Sequence, residues 1–303
     1  MPELPEVQTT VNGLRSAIVG LTILDAWSDY DSAYFKGSET IKDREYFEHF
    51  KKEVVGSTVT SIDRRAKNIL IHLDSGSTIL VHMKMTGHLL FGVYHFDNTK
   101  KKDPWLPISP PSLVDSYNRN VHFVLSFNNK KQLALSDVRR FAKVTLVNTE
   151  ILHSTHLGMI GPEPLEKKFT YRVFKSCLEK RSNSKIKQVL MDQSVIAGIG
   201  NIYADESLWR AGIDPRRIVS KIKPGKLQLL YTAIQKTLSK GIDFGGDSTS
   251  DYRNINGERG SFHETHHAYR RTGDSCDKKG CKGIIKRIVL GGRGTHFCPV
   301  HQK

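Results

Sequence analysis

KIKQVLMDQSVIAGIGNIYADESLWRAGI, residues 185–213, decides the architecture. Two periodic apolar runs, Lys185–Met191 and Asn201–Ala211, flank DQSVIAGIG, whose Gly198 and Gly200 permit a tight turn between packed helices. Working outward, Phe169–Lys180 and Pro224–Lys240 have the same texture, so the chain after Glu150 reads as helical. Upstream, Asn68–Leu73, Thr78–Met83, Val121–Phe127, Gln132–Leu135 and Lys143–Val147 are short, β-rich and parted by turn-like DSGS and NNKK pieces. That pattern predicts a β-sandwich or barrel. A helix leads it: Pro2 and Pro5 suit a first turn, Val7, Val11, Leu14 and Ile18 recur at helical spacing, and Gly20 stops it. His95–Asn120, with four prolines and a KKK run, reads as a long mobile surface loop.

The expected fold is α+β and multidomain. Residues 1–150 form a β-sandwich domain with a leading helix and the 95–120 insertion loop. Residues 151–262 form a helical domain that ends in a Gly- and Ser-rich segment, and 263–303 form a small terminal module. At 303 residues the length is about right for two domains plus such a module. A hydrophobic fraction of 38% with 25% charged residues supports cores and excludes compositional disorder. There is no apolar run of membrane-spanning length and no basic-then-apolar leader, so a cytoplasmic, nucleoid-associated, unsecreted monomer is expected. Forty-six Lys and Arg against 31 Asp and Glu give +15, which points to a polyanionic partner, nucleic acid first.

The terminal module reads as a metal site. Cys276, Cys281, Cys298 and His301 are spaced C-x4-C-x16-C-x2-H, two ligand pairs separated by a hairpin-length spacer, as tetrahedral zinc requires. The strands are expected over Gly283–Leu290 and Thr295–Phe297, with Leu290–Gly294 turning between them. His296 is the other candidate for the fourth ligand, but His301 has the spacing of a single turn. Residues 263–303 also carry nine Lys and Arg against three acids. Cys177, inside a helix, reads as a buried apolar thiol.

The N-terminal MPELPE places one amine and two carboxylates within six residues. Removal of Met1, usual before a small residue, would leave Pro2 as a free secondary amine. An α-amino group titrates near ~8, against ~10.4 for lysine, so much of it is neutral at cellular pH. A neutral amine can attack an aldehyde-like carbon and form an iminium. Taken alone, Pro2, Glu3 and Glu6 also read as ordinary first-turn residues of a helix.

Taken together the motifs decide between these readings. MPELPEV, RRAKNILIHL, HMKMTG, SDVRRF, GPEPL, IKQVLMD, GIGNIYADE and the terminal cysteine module occur in one order along nearly the whole chain. In that order they resemble the formamidopyrimidine-DNA glycosylase and endonuclease VIII family. The resemblance implies a β-sandwich, a helix-two-turn-helix domain and a zinc β-hairpin. It implies Pro2 as the nucleophile on C1′ of a damaged nucleotide, Glu3 as general acid at the sugar, Glu6 as a supporting carboxylate and Lys67 as a catalytically important lysine on the DNA backbone. Flipping a base out leaves a hole that apolar and planar groups must fill. Met85, Arg139 and Phe141 match the family's filling residues, though Met85 and Phe141 would also suit a sandwich core. SDVRRF read as extended chain places Arg139 and Phe141 on one side. Lys187, Asn201 and Arg293 match phosphate-gripping positions, with Asn201 also a candidate helix cap. Gly245–Phe262 resembles the loop that closes over an oxidised purine.

Three departures stand out: C-x4-C where the family has C-x2-C, His301 where a cysteine is usual, and Gly292 before Arg293 where glutamine is common. The expected activity is removal of oxidised purines from duplex DNA, followed by β- and δ-elimination. It needs one structural zinc and no organic cofactor. The rival readings are an endonuclease VIII-like enzyme for oxidised pyrimidines and a non-catalytic binder of damaged DNA. An intact MPELPE argues against the second, and the long loop against the first.

Overall fold

Glu3 opens the first helix. Its side chain accepts from the backbone of Glu6, and the Glu6 carboxylate accepts the Glu3 N–H at 2.7 Å, a reciprocal capping box. The helix, α1 (Leu4–Ile18), then buries Leu4, Val7, Val11, Leu14 and Ile18 along one stripe. It ends before Gly20, which sits at φ +82°. A computed structural model describes all of residues 1–303.

Eleven strands follow in chain order: β1 (Ile23–Ser28), β2 (Val59–Arg65), β3 (Asn68–Leu73), β4 (Ser77–His82), β5 (His88–Phe96), β6 (Trp105–Ser109), β7 (Val121–Phe127), β8 (Gln132–Ser136), β9 (Lys143–Asn148), β10 (Lys286–Leu290) and β11 (Arg293–Phe297). The first nine make two antiparallel sheets, ordered β1-β7-β8-β5-β6 and β2-β3-β4-β9. Leu89, Phe91, Phe123, Leu125 and Leu135 from the first sheet meet Ile62, Ile69, Ile71, Ile79 and Val81 from the second in one core, which also takes the buried face of α1. This is the expected sandwich. A helix inside it went unread: α2 (Arg44–Val54), capped by Asp43 and burying Phe47, Phe50 and Val54.

The 95–120 segment is not a mobile loop. It carries the end of β5, the edge strand β6 and two 3-10 turns, Pro111–Val114 and Ser116–Asn118. The cause is a second core. Leu90, Val124 and Ala134 point out of the other face of the five-stranded sheet, and Leu113 and Trp105 of the insertion cover them. Pro107 is tolerated because β6 is an edge strand paired only with β5.

The remaining helices are α3 (Tyr171–Glu179), α4 (Ile186–Met191), α5 (Asn201–Ala211) and α6 (Pro224–Asp243). Gly212, at φ +65°, ends α5 with its N–H on the Leu208 and Trp209 carbonyls. The chain divides into Met1–Gly158 with Gly245–Ser261, and Met159–Phe244 with Phe262–Lys303. Two expected boundaries therefore shift. The Gly-rich segment 245–261 packs with the sandwich, because Ile255 sits in its core and the Ile255 carbonyl accepts the Phe91 N–H at 2.6 Å. The terminal module belongs to the helical unit rather than standing apart. Cys177 is buried as expected, and no helix is long and apolar enough to cross a membrane.

Candidate active site and metal centre

Pro2 is buried at the head of α1, with Glu3 2% and Glu6 1% exposed. The Glu6 carboxylate is shared: one oxygen takes the Glu3 N–H and the other the Asp247 N–H at 2.8 Å, tying the start of the helix to the 245–261 segment. Tyr252 adds a bond from its hydroxyl to the Glu6 carbonyl at 3.0 Å. Lys67 lies in the two-residue turn between β2 and β3, with Ala66 at φ +52°. A turn lysine would ordinarily be solvated; this one is 6% exposed. Lys67 is one of the cations that act on His82. Burial, then Lys84, Lys67 and His156, push the His82 imidazole down to about 3, so it is neutral at physiological pH. His82, Lys84, Lys143 and His156 line a concavity of about 330 Å³ beside Asn68.

Met85 and Phe141 lie in neither core. Met85 is half-buried in the β4–β5 turn, and Phe141 is 47% exposed between β8 and β9. Both line one concavity of about 490 Å³ with Met1, Phe35, Lys42 and Lys84. SDVRRF is not extended: Arg140 has φ +54° and donates its N–H to the Asp137 carbonyl, a turn that still stacks the Arg139 guanidinium 4.5 Å above the Phe141 ring. Asp137, fully buried, holds both segments. Its carboxylate accepts the Thr86 hydroxyl and the Ala142 N–H, and the Thr86 oxygen accepts the Arg139 N–H at 3.1 Å. Sequence reasoning passed over Asp137 and Thr86, although a carboxylate within SDVRRF and a hydroxyl within HMKMTG were on view. Asp137→Ala leaves these donors unsatisfied. It is expected to cost about 1–3 kcal/mol of stability and to loosen both turns, read by thermal unfolding.

In the terminal module Cys276, Cys281 and Cys298 place their sulfurs within 4.8 Å of one another. Cys281 and Cys298 Sγ are 3.7 Å apart, and Cys276 Sγ is 3.6 Å from His301 Nδ1. Tetrahedral zinc with Zn–S near 2.3 Å and Zn–N near 2.0–2.1 Å has edges of about 3.8 and about 3.6 Å, so these side chains fit that ion. Backbone N–H groups of Gly283 and His301 point at the Cys281 and Cys298 sulfurs, and the Trp209 indole donates to Cys276 at 3.3 Å. The longer first pair is accommodated by Gly280 at φ +78° and by Gly283, where a Cβ would stand 2.5 Å from Cys298 Sγ. Burial, with Lys278 and Lys226 adding to it, pushes His301 down to about 4, so its imidazole is neutral. His296 is engaged elsewhere, on Asp205. The hairpin turn is only Gly291-Gly292, both left-handed (φ +56° and +73°), which is tighter than the expected five-residue turn and starts the second strand at Arg293.

Three comparisons place this geometry. Residues 1–144 match the N-terminal domain of formamidopyrimidine-DNA glycosylase, and residues 160–253 match the H2TH domain of the same family. The chain belongs to the formamidopyrimidine-DNA glycosylase family. It is 35% identical over 304 residues to the formamidopyrimidine-DNA glycosylase of Heliobacterium modesticaldum, covering both chains fully. It is 34% identical over 300 residues to that of Bacillus subtilis, covering 98% of each. Among solved structures it is similar to Lactococcus lactis Fpg in complex with abasic-site DNA (TM-score 0.82, 32% identity, 99% of each chain). It is similar also to a point mutant of that protein in complex with Fapy-dG DNA (TM-score 0.83, 32% identity, 100% of each chain).

Within the family's H2TH region, Lys187 is not on the surface. It is 1% exposed, its ammonium 2.7 Å from Asp205 and donating to Thr295 at 2.8 Å. Asn201 does not cap α5; Gly200 holds that place, and Asn201 Nδ2 donates to the Gly294 carbonyl at 3.0 Å. Both side chains therefore reach the strand that begins with the exposed Arg293. The acids next door, unread in the sequence, do the anchoring. Asp205 accepts the His296 N–H, and Glu206 accepts the N–H groups of His267, Ala268 and Tyr269 at 2.8–2.9 Å. Asp205→Ala strands the Lys187 charge and is expected to cost about 3–5 kcal/mol, read as a lowered denaturation midpoint.

Proposed function

We propose that this DNA glycosylase and AP lyase, which takes oxidised purines out of duplex DNA, works through the nitrogen of Pro2 once Met1 has been removed. The observation that carries this is Met1 on the wall of the concavity that also holds Met85 and Phe141. An amine exposed there stands beside the groups that would fill the gap left by a flipped base. Its lone pair bonds to C1′ as the C1′–base bond breaks and the base leaves with that electron pair. The Pro2 N–H proton is then lost, and Glu3 gives a proton to O4′ as the C1′–O4′ bond breaks with its electrons going to that oxygen, a task suited to a carboxyl removed from water. The nitrogen lone pair closes the C1′=N double bond. The resulting iminium acidifies the C2′ hydrogens. Loss of one expels the 3′ phosphate and a second elimination expels the 5′ phosphate, leaving a one-nucleotide gap.

Met85, Arg139 and Phe141 enter the duplex, and Lys67 holds phosphate from within its basic patch. Glu6 supports the site by fixing both Glu3 and Asp247. Arg293 grips phosphate directly, while Lys187 and Asn201 set its strand from behind. Cys276, Cys281, Cys298 and His301 hold one zinc ion, which is structural and takes no part in the chemistry.

Glu3→Gln separates the steps. Release of 8-oxoguanine is expected to fall by about 10²–10⁴-fold while cleavage of a preformed abasic site, which needs no base expelled, is retained. Equal loss on both substrates would remove Glu3 from base expulsion.

A further inference from the structure

The 95–120 insertion has no part in the reaction as described, yet besides covering the sheet face it is bonded to the 245–261 segment. Gly92 of β5 has no side chain, and a Cβ there would collide with the Ser109 carbonyl and stand 2.5 Å from Leu113, so the insertion lies directly on the strand. From that base it reaches the 245–261 segment at three points. The Ser112 hydroxyl donates to the Asn256 carbonyl. Asn118, 1% exposed and held by His88, donates to the Gly257 carbonyl at 3.3 Å. Asp115 accepts from Arg253 at 3.3 Å, and the Tyr117 ring lies 4.4 Å beneath that guanidinium.

Arg253 is the link to the tip. It is 2% exposed, and its Nη1 donates to the carbonyls of Ser250 and Tyr252 at 3.1 and 2.9 Å. The tip is thus held on one side by the Glu6 carboxylate through Asp247 and on the other by a guanidinium that the insertion fixes. A loop that must close over a base loses entropy in closing, and a brace that holds it beforehand removes part of that cost.

We propose that the insertion is a brace for the capping loop, with Asp115 and Tyr117 as positioning residues acting through Arg253. This rests on the reading that the 245–261 segment closes over the oxidised purine. The brace raises the fraction of enzyme whose loop is closed before DNA arrives, and so acts on base excision and not on elimination at a site that has no base.

The test uses the full-length, Met1-processed enzyme as wild type, Asp115→Ala, Tyr117→Ala and a Thr249→Gly/Ser250→Gly tip variant. Hydrogen exchange over residues 246–257 is followed beside single-turnover cleavage of 8-oxoguanine and preformed abasic duplexes. Both brace variants are expected to exchange faster over 246–257 with the sandwich strands unchanged. Both are expected to excise 8-oxoguanine about tenfold more slowly, as when the competent fraction falls to about a tenth, and to cleave abasic DNA at the wild-type rate. Unchanged exchange in the loop overturns the brace. Equal slowing on both duplexes overturns the positioning role. If the tip variant excises 8-oxoguanine normally while the brace variants still loosen the loop, the capping reading fails and the mechanical brace stands.

Discussion

A chain carrying one untrimmed residue ahead of Pro2 is expected to bind lesion-containing duplex and cleave none of it. In that form the Pro2 nitrogen is an amide whose lone pair is delocalised into the carbonyl, and it cannot add to carbon. The processed chain offers a secondary amine that is neutral in useful amount near pH 7–8. The loss should be on the order of 10⁴-fold or more in strand cleavage, as befits removal of a covalent nucleophile. Pro2→Gly should likewise lose strand cleavage. It keeps an amine but loses the ring that blocks rotation about the N–Cα bond and so aims the nitrogen lone pair. Duplex affinity is expected to survive in both, because the phosphate-binding residues are spread along the chain. It should fall steeply with ionic strength, as for any such set of Lys and Arg contacts.

Removing the metal ligand set is the second large effect. The module over residues 263–303 has one short hairpin and a small apolar cluster, Ala268, Cys276, Ile285 and Cys298 against Trp209 of α5, in which two members are themselves metal ligands. So little burial cannot hold the segment, and zinc binding to such modules contributes about 10–16 kcal/mol. Cys298→Ser, or chelation of the wild type, should release one zinc per chain and abolish exchange protection over β10 and β11. The Trp209 fluorescence should shift to the red, since that indole stacks on His267 at 4.2 Å and donates to Cys276. Lesion-duplex affinity should fall by about tenfold to a hundredfold as Arg293 loses its strand. A chelated protein with an intact hairpin and full affinity would contradict the ligand assignment. His301→Cys, which restores a more usual donor, should keep the zinc.

Much of this was legible because the signals were local. Val7, Val11, Leu14 and Ile18 announce α1 by spacing alone, and the four metal ligands announce a zinc module by theirs. What escaped depended on contacts far apart in sequence. Lys67 stands out only through the resemblance, because nothing in RRAKN itself shows that the turn is buried. Lys187 matches a phosphate-gripping position, and its burial could not be read because its partners, Asp205 and Thr295, lie 18 and 108 residues away. The insertion read as a loop because its anchors, Trp105 and Leu113, have no period. They serve a sheet face whose exposure could be known only once the strands were paired. The α2 helix is a different case. Asp43 and the helical spacing of Phe47, Phe50 and Val54 were sufficient, and the strand signals on either side drowned them.

The most direct measurement is borohydride trapping of the Met1-processed protein on a duplex with a single 8-oxoguanine, beside a matched dihydrothymine duplex. The account predicts a covalent adduct formed chiefly on the purine lesion and carried by the N-terminal peptide beginning at Pro2. Binding to both duplexes with no adduct on either, or an adduct carried by a lysine peptide, would contradict it.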